Sequence, residues 1–141
     1  MSRRLTEDEI TEHGISTNHE IMDNGELRFR LVSSDGSCYI RTVAPEKGVW
    51  QNSHHHATIS ETAIVQKGWV AFAEYINEKL VLRKIETGEM FTTKPGVPHN
   101  MYLPKNSVIH CVKHGDCSVN DWIASPVLDK LTKSLTEKDL Y

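Results

Sequence analysis

The chain has 141 residues, a length suited to one compact domain with its own buried core. Sixteen Lys and Arg against nineteen Asp and Glu leave a net charge of -3, with no basic stripe for nucleic acid. Three cysteines (Cys38, Cys111 and Cys117) are an odd number at no zinc-finger spacing, so they read as small buried hydrophobes and not as a disulfide framework. The N-terminus carries basic residues with no apolar segment behind them, and no apolar run reaches membrane-spanning length. A soluble, cytoplasmic chain without a nucleic-acid or membrane partner is the expectation.

In chain order, Thr6-Glu-Asp-Glu9 has the form of a capping box, and Gly14 can close a short helix behind it. A polar linker follows at residues 16–20, and residues 1–24 read as an N-terminal arm. Asp23-Asn24-Gly25 signals a turn. Leu27-Arg28-Phe29-Arg30-Leu31 then alternates, predicting a strand that buries Leu27, Phe29 and Leu31 while the arginines face the other way. A second turn at Ser33–Gly36 leads into a strand from Cys38 to Val43, ended by Pro45.

His54-His55-His56 comes next, and its spacing is chemical. Side chains on a strand alternate, so His54 and His56 share a face and His55 points away. Glu61 follows five residues after His56; residues 57–60 must turn for it to return facing the two imidazoles. Two neutral imidazoles and a carboxylate converging on one point suit a divalent transition metal. Beyond them, Trp69–Ile76 and Lys79–Ile85 read as a hairpin about Asn77-Glu78, and further strands run over His99–Leu103 and Val108–Val112. Many short strands between regular turns suggest a sandwich or barrel over residues 25–124. The tail, 125–141, opens with Ser125-Pro126 as N-cap and N1, and Leu128, Leu131 and Leu135 recur at helical spacing. This amphipathic helix is expected to pack on the barrel or on a partner subunit.

The stretch from Gly48 to Gly68, with its His-x-His, Glu61 and closing glycine, resembles the first motif of the cupin family at every fixed position. Gly88 to His99, with Pro95, Gly96 and Pro98, resembles the second, although Lys94 stands where the family usually has proline. The resemblance implies an all-β fold, a double-stranded β-helix or jelly-roll barrel, here with a short N-terminal and a C-terminal helix. It also makes His99 the fourth ligand beside His54, His56 and Glu61, around one divalent ion of iron, manganese, nickel or zinc. Arg30 and Arg41 are candidate substrate anchors, since arginine grips carboxylate or phosphate in a fork; strand arginines are more often solvated. His110 is a further candidate, weighed against a hydrogen-bonded rim histidine.

The resemblance implies a metal-dependent enzyme acting on a small oxygen-rich molecule such as a sugar, uronate or keto acid. Isomerisation or proton transfer at a metal-chelated hydroxy-carbonyl is the preferred chemistry. An iron-dependent dioxygenase is the alternative, and a non-catalytic metal- or sugar-binding module the third reading. A homodimer is expected, because the edge strands need cover and the leucine stripe offers an apolar surface.

Overall fold

The structure is a computed structural model, and it describes residues 1–119 and 121–140. Helix α1 (Glu7–Glu12) is held by the capping box: the Glu9 backbone N–H donates to Thr6 Oγ1 and the Thr6 N–H donates to the Glu9 carboxylate. Among the described residues twelve strands follow: β1 (Ser16–Ile21), β2 (Leu27–Val32), β3 (Cys38–Val43), β4 (Val49–Trp50), β5 (His54–His55), β6 (Ile59–Lys67), β7 (Trp69–Ile76), β8 (Lys79–Glu86), β9 (Met90–Thr92), β10 (His99–Leu103), β11 (Val108–Gly115) and β12 (Ile123–Ala124). Helix α2 (Pro126–Thr132) and a 3-10 turn (Glu137–Leu140) end the chain.

The strands make two antiparallel sheets. The first runs β1-β2-β3-β11-β6-β9; the second runs β12-β5-β10-β7-β8, with β4 also on β10. Neighbours far apart in sequence alternate between the sheets, the jelly-roll pattern. The β7–β8 turn is tight because Asn77 and Glu78 both take positive φ, 52° and 61°, a twist that matches the strands on either side.

Between the sheets, Phe72, Phe91, Leu103, Ile109, Val65 and their neighbours fill one half of the barrel. Met101, Ile109 and Cys111 lie at its border: they belong to this core and also line a cavity of about 530 Å³ in the other half. A second apolar cluster lies outside the second sheet. Ala71, Tyr102 and Leu140 are buried there with Trp50, Trp69 and Leu135 against them, and Trp50 Nε1 donates to the Leu135 carbonyl. Gly48 belongs to this arrangement, since any Cβ at that position would run into the Tyr102 hydroxyl.

Three expectations change. Residues 16–21 are a strand and not a linker; β1 is an edge with all its residues exposed, so it lacks the apolar alternation that marks a strand. The faces of β2 are reversed. Leu31 is 49% exposed and Phe29 38%, whereas the Arg28 and Arg30 side chains turn toward the cavity. A period of two separates the faces of a strand without saying which is inside, and here the inside is polar. The C-terminal helix stops at Thr132 instead of running through Leu135; Leu128 is fully buried against the chain's own second sheet, so of the two places expected for the tail it takes the barrel. No helix among the described residues is long and apolar enough to cross a membrane.

Candidate metal centre

His54, Glu61 and His99 each offer a ligand atom, and the three atoms lie within 4.8 Å of one another. They arrive from three strands. His54 on β5 sits directly across from His99 on β10, which puts both imidazoles on the same face with ring centroids 4.5 Å apart. Glu61 on β6 comes from the facing sheet, its backbone fixed by reciprocal bonds with Thr93: the Glu61 N–H donates to Thr93 Oγ1, and the Thr93 N–H donates to the Glu61 carbonyl. His56 lies just past β5. Its ring centroid is 4.9 Å from that of His54, and its Nε2 is 3.2 Å from Glu61 Oε1.

The outer hydrogen bonds fix the state of each ring. Nδ1 of His54 faces the Asn52 carbonyl at 2.8 Å, Nδ1 of His99 faces the Val97 carbonyl at 3.3 Å, and Nδ1 of His56 faces the Asp121 carbonyl. A carbonyl only accepts, so each Nδ1 must carry the hydrogen. A neutral ring then keeps its Nε2 lone pair for the interior, the usual support of a metal-ligating histidine.

The interior ends of the rings fit a cation. His99 is 2% exposed, and its Nε2 is buried with no hydrogen-bond partner. With Nδ1 donating, His56 Nε2 and Glu61 Oε1 are two acceptors face to face, an arrangement that needs a proton or a metal between them. Cys111 Sγ approaches the second oxygen, Glu61 Oε2, at 3.7 Å, leaving Oε1 for the cluster. His56 stands outside the 4.8 Å group, against Glu61; the two imidazole nitrogens and one carboxylate oxygen within it suit a first-row divalent ion.

Electrostatics follow from burial and proximity. Burial, and then His99 beside it, hold His54 down to about 4. Burial likewise lowers His99, against the pull of Glu61. His56 is raised, chiefly by its contact with Glu61. For Glu61 burial pushes upward, but His56, His99 and His54 outweigh it and hold the carboxyl near 2. Glu61 is therefore anionic at neutral pH, and His54 and His99 are neutral.

His54 and Glu61 also line the cavity, so whatever they hold would face a bound molecule. Of the candidate anchors, Arg30 lines this cavity; Arg41 and His110 do not. Arg41 pairs with Phe29 on one side and His110 on the other, all on the outer face of the first sheet. Its guanidinium lies 5.9 Å from the centre of the Phe29 ring, and His110 bonds to the Tyr39 hydroxyl at 2.6 Å. His55 points away from the cluster, as its parity requires, and pairs with Ile123.

Sequence reasoning missed four contributors. Arg28 and Lys113 line the cavity. Asp121 holds His56 through its carbonyl and the Ala57 N–H through Oδ2, and the Trp122 ring stacks on His54 at 5.1 Å. For Lys113, Ile109, Cys111 and Lys113 share one parity of β11, and two buried members marked that face as interior. No local signal marked Asp121 or Trp122, which reach the site from 65 residues beyond His56.

No protein-family model matches the sequence, and a search of curated proteins finds no match. Solved structures do match. Bacillus subtilis oxalate decarboxylase, a protein with Mn(II) centres, aligns with a TM-score of 0.63 at 14% identity, covering 88% of this chain and 36% of that one. A deletion mutant of the same enzyme gives 0.63 at 12% identity with the same coverage. This chain thus spans about a third of the oxalate decarboxylase chain. The cumin domain of CENP-C from Drosophila melanogaster aligns with a TM-score of 0.59 at 14% identity, covering 79% of this chain and 85% of that one. Two jelly-roll sheets, a His/Glu/His group at the edge of their core and these structural neighbours together show that the chain has the cupin fold.

Proposed function

We propose that this protein is a metal-dependent enzyme that isomerises, or moves a proton on, a small oxygen-rich molecule bearing a hydroxy-carbonyl. One observation carries the reading: His54 and Glu61 belong both to the metal-donor group and to the wall of the 530 Å³ cavity. His54, His56, Glu61 and His99 would hold one divalent ion. Bound there, the ion supplies Lewis acidity to a carbonyl or hydroxyl oxygen. The chain's own residues hold the ion and orient the molecule beside it. Backbone carbonyls lock the three rings, and Glu61 brings one negative charge. Lys113, cross-strand from Glu61, sets a cation beside oxygen charge that develops on a bound molecule. Trp122 forms the rim over His54. The likeness in fold to oxalate decarboxylase, an enzyme named for a small organic substrate, supports the same class of reading.

An iron-dependent dioxygenase is the second reading. It is favoured by the fact that Glu61 is the only Asp or Glu lining the cavity among the described residues, which leaves no second carboxylate to serve as base. Screening hydroxy and keto acids, uronates and sugars in deuterated water without oxygen separates the two. The first reading predicts deuterium at carbon next to a carbonyl, lost in Glu61→Ala. Oxygen uptake that depends on substrate, with no exchange, would replace it by the second. Binding with neither would leave a non-catalytic module.

The reading includes a homodimer. Its support is the outer face of the first sheet, where Leu31, Tyr39 and Val112 are direct cross-strand neighbours and all exposed, with Phe29 and Leu27 along β2. Contiguous exposed apolar side chains on a sheet face are characteristic of an interaction surface.

A further inference from the structure

The cavity wall carries three cationic side chains, Arg28 and Arg30 on β2 and Lys113 on β11, cross-strand from Glu61. Against them Glu61 is the single carboxylate among the described lining residues. The two arginines are held from behind. Arg28 Nη2 donates to Glu26 Oε1 at 2.9 Å, and Glu26, fully buried, also accepts from Asn24 and from Gln51. Arg30 Nη1 donates to Glu20 at 2.7 Å. These bonds fix the position of each guanidinium without using all its donors. Arg28 Nε is buried and has no hydrogen-bond partner. Arg30 Nη2 has only the Met22 sulfur at 3.8 Å, a weak acceptor. The Lys113 side chain makes no ion pair or hydrogen bond among the described residues, and its strand position lies across from both Cys38 and Glu61.

A buried charged donor left without an acceptor is costly; Arg28 Nε is one, and Arg30 Nη2, lining the same cavity, is answered only weakly, so this wall calls for a ligand. From the under-used donors of Arg28 and Arg30 we infer that the cavity takes a small organic anion. One end carries hydroxyl or carbonyl oxygens that reach the His54/Glu61 side, where Lys113 also stands; the other is a carboxylate or phosphate gripped by Arg28 and Arg30. Fixed, partly buried guanidinium donors favour planar oxyanions, which accept two parallel hydrogen bonds. A neutral sugar would offer the remaining guanidinium donors no charged acceptor. The metal end of this ligand rests on the function proposed above; the anion end does not.

The test is calorimetric titration of four probes into the manganese-loaded and the chelator-stripped protein. Malate has a hydroxy-acid end and a second carboxylate; 3-phosphoglycerate replaces that carboxylate by phosphate; lactate keeps only the hydroxy-acid end; dihydroxyacetone is neutral. Malate or 3-phosphoglycerate is expected to bind roughly 10- to 100-fold more tightly than lactate, the worth of one or two charged hydrogen bonds. Whichever of the two binds better identifies the oxyanion. Arg30→Gln should remove most of that advantage while lactate binding stays unchanged, and Arg30→Lys should keep part of it. Weak malate binding to the stripped protein that is also lost in Arg30→Gln would establish the anion end even if no metal bound. Equal affinity for malate, 3-phosphoglycerate and lactate, or an Arg30→Gln variant that binds like the parent, would overturn the inference.

Discussion

Leu128→Ala tests how the C-terminal segment supports the metal-donor group. Leu128 is fully buried where α2 meets β10 and β7. The same helix turn reaches the His-x-His strand: Asp129 Oδ1 accepts from the Ser53 N–H at 2.8 Å, and the Ser125 N–H donates to the Ser53 carbonyl at 3.0 Å. Removing three buried carbons forfeits about 2.4 kcal/mol of transfer energy at roughly 0.8 kcal/mol per carbon. A cavity that cannot collapse raises the total to about 3–5 kcal/mol. Against a typical domain stability of about 5–15 kcal/mol this is a large loss that still leaves a folded protein. Urea unfolding of the metal-free variant should show it as a lower midpoint with an unchanged slope. Because Ser53 immediately precedes His54, manganese affinity should fall as well. A stability loss under about 1 kcal/mol would refute the packing argument. A full loss with unaltered metal affinity would show that α2 does not hold His54 in place.

Two further outcomes follow from the site and the surface. In chelator-stripped protein, His54 is held near 4 when folded and returns to about 6.5 when unfolded. Between those values the unfolded chain binds a proton that the folded one refuses, so this stability is complete above about 6.5 and lost as pH falls through about 4. The full difference is on the order of 3 kcal/mol. His99 acts in the same direction and His56, whose value is raised, in the opposite one, so the comparison is with His54→Asn. Relative to that variant the parent should lose urea resistance from pH 7 to 4.5; parallel curves would contradict the burial of a neutral ring. For the sheet surface, light scattering at micromolar concentration should give a dimer that Leu31→Glu dissociates, and a monomeric parent protein would reject the homodimer.

The site was legible where the chemistry is local. His54, His56 and Glu61 could be placed on facing strands because a strand alternates and the intervening residues must turn, and His55 was excluded on the same ground. Thr6 and Glu9 announced their helix, and Asn77-Glu78 its hairpin. Interior and exterior were not legible on β2, since Leu27, Phe29 and Leu31 carry the apolar signal on what is the outer face. The cavity wall is built from arginine instead, the reverse of a packed core. Asp121 and Trp122 were invisible for another reason: their roles exist only once the tail folds back over β5. The same return explains why Leu128 is covered by its own barrel.

The central claim is that three histidines and one glutamate hold a divalent ion at the edge of the barrel core. Elemental analysis of protein dialysed against excess manganese, for the parent, His99→Ala and His55→Ala, tests it most directly. About one ion per chain is expected in the parent and in His55→Ala, with most of it lost in His99→Ala, because His99 Nε2 is aimed inward with no other partner. Equal metal content in all three proteins, or none in the parent, would contradict it.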